Sequence, residues 1–304
     1  MSATQQSATP ATDDLRILVP LDGSPIAARA LDIAARFPAR EIVLLRVQPG
    51  GHEAEAQGIR NELEALAAPL RTGQRSVTGD VRFGDAAGEI VDAASDFDLV
   101  VMTTRGRSAA ARMLFGSVAD RVSRYSPTPT LLIRTSKDTG EIPRRKRIVV
   151  PLDGSELAER ALPIAVRLAR GAALPLHLVR AVDLDAVRAT IRASRKDDAA
   201  PDPAAEDESS QTYEAARLQT EELALTYLRE TAAAIGGDGL DVDVEVLRGT
   251  PSFVLVWNVQ EDDLVVITSH GRGGFRRWLL GSVSEKLVRE ASAPVLLVPT
   301  RDSA

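Results

Sequence analysis

Residues Arg16–Ser24 (RILVPLDGS) return as Arg147–Ser155 (RIVVPLDGS), with one change in nine, Leu18 against Val149. A second pair, LFGSVADRV from Leu114 and LLGSVSEKL from Leu279, recurs farther along the chain. The offsets are 131 and 165 residues, so the second copy carries about 34 additional residues between these points. A duplicated segment of roughly 120 to 150 residues is domain-sized and far longer than a solenoid repeat. The 304 residues must therefore fold as two related domains. The expected division is a disordered tail at 1–14, a first domain at 15–136, a linker at 137–146 and a second domain at 147–300. The linker lies in the polar stretch SKDTGEIPRR (Ser136–Arg145), which contains Gly140 and Pro143.

Each copy alternates short apolar runs with longer amphipathic stretches. Ile17–Pro20, Ile42–Val47, Val77–Phe83, Leu99–Met102 and Thr130–Ile133 read as strands in the first copy. Ile148–Pro151, Leu176–Ala181, Val242–Leu247, Leu264–Ile267 and Val295–Val298 read as their partners in the second. Near-continuous apolarity in the first, second and fourth strands predicts burial on both faces, the habit of a parallel sheet covered by helices. Helices are predicted at Pro25–Phe37, Ala54–Leu70, Ala86–Ser95 and Ser117–Tyr125. The fold class is α/β, with two doubly wound domains, each a five-stranded mainly parallel sheet between helices. Ligands in such folds collect at the carboxyl ends of the strands, where the strand order reverses.

The extra length of the second copy falls at about 183–211, where SRKDDAAPDPAAEDESSQ is rich in charge, Pro, Ala and Ser. That composition predicts a mobile insertion. A helix then runs from Tyr213 to Ile235 and stops at Gly236 and Gly237.

Composition removes several chemistries. With 37 Lys+Arg against 43 Asp+Glu the net charge is −6, which excludes a dominant basic surface for nucleic acid. No cysteine is present, so disulfides, thiolate metal sites and cysteine nucleophiles are excluded. No apolar run is long enough to span a bilayer, and the opening MSATQQSATPATDD lacks the apolar core of a signal peptide. The expectation is a cytoplasmic chain without a membrane or nucleic-acid partner.

Three constellations carry the chemistry. The first strand of each copy ends in Pro-Leu-Asp-Gly-Ser, at Pro20–Ser24 and Pro151–Ser155. The glycine permits a tight turn, the serine can cap the next helix, and Asp22 and Asp153 stand where they could accept ribose hydroxyls. Helix capping alone would also explain both aspartates. The fourth strand is followed by Thr103-Thr104-Arg105-Gly106, nine residues, and Gly116-Ser117-Val118. The second copy repeats it as Thr268-Ser269-His270-Gly271, nine residues, and Gly281-Ser282-Val283. A Gly-Ser pair opening a helix aims backbone N–H groups and the positive dipole end at one spot, and glycine leaves room for a phosphate. Arg105, Arg107, His270 and Arg272 lie where they could add charge. An ordinary loop with a serine cap is the alternative for one such pair, but the repetition at one spacing is a stronger signal. The third constellation, Phe83-Gly84-Asp85-Ala86 and Arg248-Gly249-Thr250-Pro251, is explained by turn chemistry.

With these residues both halves resemble universal stress protein domains, and Leu15–Pro299 resembles a tandem universal stress protein. The nucleotide-binding pattern of that family is glycine, two residues, glycine, nine residues, glycine and then Ser or Thr. Gly106, Gly116 and Ser117 match it, as do Gly271, Gly281 and Ser282, while Thr103 and Thr268 replace the first glycine. The resemblance implies an adenine nucleotide alpha hydrolase-like fold and a bound adenine nucleotide, ATP or its AMP and ADP relatives, with or without Mg2+. It places Asp22 and Asp153 on ribose, the glycine loops on phosphates, and Val47 and Ala181 beside adenine. Pro20, Pro151, Val118 and Val283 border the same pocket. The β-branched threonines crowd the ribose edge.

No GxxxxGK[ST], GxSxG or HExxH sequence occurs, and His52, His177 and His270 lack metal-ligand spacing. His177 alternates with apolar neighbours and reads as a packed strand residue. Trp257 and Trp278 read as core, and Asp262 and Asp263 as solvated acids before a strand. With no candidate general base beside the phosphates, enzyme status stays open at no more than a slow ATPase. Two functions compete: a nucleotide-binding stress or signalling module, and a scaffold or adaptor that keeps the fold without the ligand. The apolar fifth strands, at the sheet edge in the family layout, lead to the expectation of an intramolecular pseudo-dimer, with any homodimer using another surface.

Overall fold

A computed structural model describes residues 15–50, 53–105, 116–135, 144–194, 203–237, 239–270 and 280–300. The chain divides into two compact units, Met1–Ile142 with Arg170–Ala173, and Pro143–Ala169 with Leu174–Ala304. The first unit runs β1 (Leu15–Pro20), α1 (Pro25–Ala28), α2 (Ala30–Ala34), β2 (Ala39–Gln48), α3 (Glu53–Ala67), β3 (Ser76–Phe83), α4 (Ala86–Ala94), β4 (Leu99–Arg105), α5 (Ser117–Tyr125) and β5 (Thr130–Thr135). The second runs β6 (Arg147–Pro151), α6 (Glu156–Glu159), α7 (Leu162–Ala172), β7 (Leu176–Val182), α8 (Leu184–Ser194), α9 (Pro203–Ile235), β8 (Val242–Arg248), α10 (Pro251–Asn258), β9 (Asp263–Thr268), α11 (Ser282–Glu290) and β10 (Val295–Val298).

Within the first unit the strands lie in the order β3-β2-β1-β4-β5, and every neighbouring pair is parallel. Within the second the order is β8-β7-β6-β9-β10, again parallel throughout. The ten strands fall where the apolar runs predict them. The cores are built from strands buried on both faces: Ile17, Leu18 and Val19 of β1 have virtually no exposed surface, and neither do Val149 and Val150 of β6. The order reverses beside β1 and beside β6, so the loops leaving β1 and β4, or β6 and β9, part in opposite directions and leave a crevice.

The helix expected at Pro25–Phe37 is two short helices that meet at Arg29. The Arg29 N–H donates to the Ile26 carbonyl, a tightened three-residue turn. The second copy repeats the break, with Arg160 N–H donating to the Leu157 carbonyl.

Where a mobile insertion is expected at about 183–211, the described residues are helical, in α8 and the start of α9. Asp183 Oδ1 accepts from the N–H groups of Asp185 and Ala186 at 3.1 Å and caps α8. Pro203 opens α9 at the one helical position where its missing N–H is harmless. The Ala, Glu, Arg and Gln residues that read as unfoldable are among the best helix formers. Buried Ala224 and Leu228 anchor α9, and Arg217 joins Glu214 and Glu221, the last of which also meets Arg248 of β8. Residues 195–202 lie outside the described residues.

Two further readings are corrected. Asp263 is not solvated but 1% exposed, because the β6–β9 register sets it opposite Arg147, whose Nε donates to it at 2.8 Å. The backbone N–H of Gln260 donates to its other oxygen at 2.8 Å. Trp257 is 83% exposed rather than core. Leu255 turns inward on α10, and two residues along a helix is about 200° of rotation, so Trp257 faces out. His177 is buried as expected, 2.9 Å from Glu245 Oε2 and 3.3 Å from Asp243 Oδ2. Trp278 lies outside the described residues.

Candidate functional site

The first unit holds a cavity of about 320 Å3 at the carboxyl ends of β1 and β4, within the size range of small-molecule sites. Four separate segments build it. Pro20, Leu21 and Asp22 enter from the end of β1, Leu45 and Val47 from β2, Met102 and Thr103 from β4, and Gly116–Ala119 from the start of α5. Ile26, Ala27, Ala86 and Ile90 complete an apolar wall.

The turn after β1 is set locally. Leu21 N–H donates to the Leu45 carbonyl at 2.8 Å, prolonging the strand, and Gly23 then takes φ +84°, a conformation that favours glycine. Ser24 Oγ accepts from Ala27 N–H at 3.1 Å and is the helix cap. Asp22 is therefore not the cap: its Oδ1 accepts the Ser24 N–H at 2.8 Å, which closes the turn and leaves the residue bordering the cavity. The second unit repeats the turn. Gly154 has φ +83°, Ser155 caps α6, and Asp153 Oδ1 accepts from both the N–H and the hydroxyl of Ser155.

On the opposite wall, the cap residue of α5 is Gly116, which has no side chain with which to cap the first turn. The first backbone bond of the helix runs from Asp120 N–H to the Gly116 carbonyl at 3.0 Å. The preceding N–H groups, with the positive end of the helix dipole, stand at the cavity, an arrangement suited to an anion. Gly116 has φ −55°, and a Cβ there would have nothing within 4 Å among the described residues. Glycine is not needed there for folding; what it contributes is open space at the helix start.

Pro20, Asp22, Val47, Thr103, Gly116, Ser117 and Val118 thus converge on one cavity. Gly106, with Arg107, lies outside the described residues. In the second unit Pro151 ends β6, Asp153 follows it, Ala181 lies on β7 beside β8, and Thr268 ends β9. Gly281 caps α11, which Ser282 and Val283 open. Gly271 and Arg272 lie outside the described residues. The equivalent threonine behaves differently there: Thr268 is 3% exposed and its Oγ1 donates to the His270 carbonyl at 2.8 Å. Gly281 N–H donates to the Ser269 carbonyl at 2.8 Å, and the Ser284 hydroxyl reaches the same oxygen at 3.0 Å, tying α11 to the end of β9. His270 presents Nδ1 to the Ser269 hydroxyl at 3.1 Å, while its shielded Nε2 meets no hydrogen-bond partner among the described residues.

Sequence reasoning missed an arginine beneath each turn. Arg46 is 7% exposed, and a Cβ on Gly23 would lie 2.8 Å from its Nη1. Arg180 stands in the same relation to Gly154, at 3.0 Å. Each glycine therefore serves twice, for its φ and for the close approach of a guanidinium. The signal was available as an arginine inside a mainly apolar run, next to Val47 and Ala181, in both copies. At the rim, Arg121 of α5 meets Asp85, the cap of α4, at 2.8 Å. The Gly88 N–H and this arginine hold the Asp85 carboxyl below the ordinary range.

Residues 15–134 and 144–299 each match the Universal stress protein family. The chain belongs to that family. Its tandem organisation is that of two universal stress protein domains in one polypeptide. A universal stress protein of Mycobacterium tuberculosis is 27% identical over 308 residues, 93% of this chain and 96% of that protein. One from Mycolicibacterium smegmatis is 29% identical over 228 residues, 74% of this chain and 70% of that protein. Among solved structures, a universal stress protein from Archaeoglobus fulgidus aligns with a TM-score of 0.66 at 20% identity, covering 94% of this chain and 98% of that one. That structural likeness speaks for the fold. No helix among the described residues is long and apolar enough to cross a membrane.

Proposed function

We propose that the first unit binds an adenine nucleotide, ATP with ADP and AMP as its lower homologues, and that the protein is a cytoplasmic stress-response or signalling module. Its occupancy would set the conformation of the loops after β1 and β4. The carrying observation is convergence: seven residues singled out from sequence line one cavity, with a carboxylate on one wall and a glycine-started helix on the other. In this reading Asp22 takes the ribose hydroxyls, the α5 N–H groups take phosphate, and the apolar side between Val47, Ile90 and Met102 takes the base. Among the described residues no three His, Asp or Glu side chains stand together as a metal site. In this reading Mg2+ would accompany the phosphates as their counter-ion.

Protein purified without added ligand and then denatured should release an adenine nucleotide, identified by absorbance and chromatography. Asp22→Ala should weaken ATP binding by about 1 to 3 kcal/mol, the worth of a charged hydrogen bond. Binding of inorganic triphosphate should not change. Absence of nucleotide, with no binding of added ATP by calorimetry, would favour the scaffold or adaptor instead. The family resemblance also carries the proposed pairing of fifth strands within the chain: after cleavage of the linker, the halves should still co-elute.

A further inference from the structure

The arginine beneath the first turn is costly to bury, and the fold repays it poorly. Arg46 is 7% exposed, and its Nε meets no hydrogen-bond partner among the described residues. Its Nη2 lies 3.8 Å from Glu62, a side chain that is 66% exposed. Burial of a cation is repaid by close, well-bonded partners, and an apolar side chain of similar volume usually serves a core as well. Stability alone does not account for an arginine here.

Its surroundings do. Leu45 and Val47, on either side of Arg46 in β2, line the cavity, and so do Asp22 and Ser24 on either side of Gly23. A Cβ on Gly23 would lie 2.8 Å from Nη1 and 3.1 Å from both Cζ and Nη2. Near-equal distances to these three atoms mean that the guanidinium turns its face, not its edge, to the glycine. The turn is pinned before Asp22 by the Leu21 N–H on the Leu45 carbonyl, and after Gly23 by the Ser24 cap. Between those points the backbone rests on a flat cation. Arg46 is not among the residues lining the cavity, so it reaches a ligand through the turn.

The second copy puts the same plate to a different use. Arg180 packs beneath Gly154, but its Cζ also lies 5.0 Å from the centre of the Tyr227 ring, and the Tyr227 hydroxyl donates to Glu159 of α6 at 2.8 Å. There the arginine bolts α9 to the turn.

We propose, on the basis of the adenine-nucleotide reading of the first unit, that Arg46 is a positioning residue for the sugar. The guanidinium plane fixes the Asp22–Gly23 backbone and so holds the Asp22 carboxylate where ribose hydroxyls meet it.

Calorimetric titration of the full chain with ATP, dideoxy-ATP and inorganic triphosphate provides the test. Dideoxy-ATP lacks both ribose hydroxyls and so does not report on Asp22. Arg46→Met fills similar space without plane or charge, and it should keep the fold. It should weaken ATP binding about tenfold while leaving dideoxy-ATP and triphosphate within about twofold of wild type. Arg46→Lys keeps the charge but not the plane, should lose ATP affinity in the same way, and carries the test should the methionine variant fail to fold. Adding Arg46→Met to Asp22→Ala should cost nothing further, because one route is broken twice. Equal losses for ATP and dideoxy-ATP would mean a general loosening of the turn and overturn the proposal. So would additive losses in the double variant, or a lysine variant with wild-type affinity. A wild type that binds dideoxy-ATP as tightly as ATP removes the ribose contact and the proposal with it. One that binds neither nucleotide removes the reading of the whole site, so the failures are told apart.

Discussion

The two units share a turn and differ in what surrounds it. Asp-Gly-Ser, the left-handed glycine and the arginine beneath it are repeated almost to the ångström. At the opposite wall the copies part. Thr103 lines an open cavity, while Thr268 is buried and bonded to its own loop. A Cβ on Gly116 would meet nothing within 4 Å among the described residues, but one on Gly281 would lie within 3.5 Å of Ser269, His270 and Ser284. The Asp85–Arg121 pair across the helix ends of the first unit is replaced by Thr250 and Lys286, the latter turned to Phe253. Duplication has kept the elements that shape the turn and varied the residues on the opposite wall. On the proposed reading, the first unit is where an anion is expected.

The largest expected effect breaks this comparison directly. Gly116→Val puts a branched side chain at the start of α5, where φ is compatible with any residue, so the fold should hold. Nucleotide binding at the first unit should fall by about 3 kcal/mol or more if two charge-assisted N–H bonds are blocked. Gly281→Val should leave the measured affinity of the whole chain within twofold, roughly the scatter of a calorimetric comparison. If Gly281→Val is the damaging change, the assignment of the site to the first unit is wrong.

A smaller effect concerns an ion pair rewired between the copies. Arg16 meets Glu41 at 2.6 Å with both side chains about one-third exposed. The position of Glu41 is Pro175 in the second unit, and Arg147 turns instead to the buried Asp263. Arg147→Met would leave a shielded carboxylate without its cation and should destabilise the second unit by about 3 kcal/mol. Arg16→Met should cost clearly less, because a solvent-screened pair contributes little. Denaturant unfolding of the two variants checks the ranking, and equal losses would remove the distinction.

These contrasts show which levels of structure a single sequence exposes. The strands were legible because Ile17–Pro20 and Leu99–Met102 are continuous apolar runs, and the turn because glycine conformation and serine capping are local. The burial of Asp263 was not legible, since it depends on the β6–β9 register, which joins residues more than a hundred positions apart. Trp257 misled because α10 is apolar on nearly every side and its phase cannot be read in isolation. Aligning it with α4, where Ile90 faces in and Asp92 out, sets the phase. The helices flanking 195–202 were hidden by charge and proline content, which measure solubility more directly than backbone conformation. In the site itself, Asp22 and Gly116 followed from repeated motifs. Ile26, Ile90 and Met102 are ordinary core types that only the fold brings to one cavity.

The smallest effect tests the rim. Gly88 N–H donates to Asp85 Oδ2 at 2.9 Å, whereas the equivalent Phe253 N–H donates to the Thr250 carbonyl, which does not titrate. The Asp85 carboxyl is held below its ordinary value of 3.8, first by the Gly88 N–H and then by Arg121. A carboxylate whose folded pKa is depressed contributes its full stabilisation above the unfolded value and loses it as the pH falls through the lower, folded one. The α4 cap should therefore survive to a pH below 3.8 and then fray, with no matching event at α10. In an acid titration followed by NMR, the Gly88 amide should shift with a midpoint below that of an ordinary aspartate, and the Phe253 amide should not follow it. Arg121→Ala should move the Gly88 midpoint upward but not fully to the ordinary value, because the larger contribution is the backbone N–H. A midpoint unmoved by that change would mean the pair spanning α4 and α5 carries no weight in solution, and the rim would cease to distinguish the units.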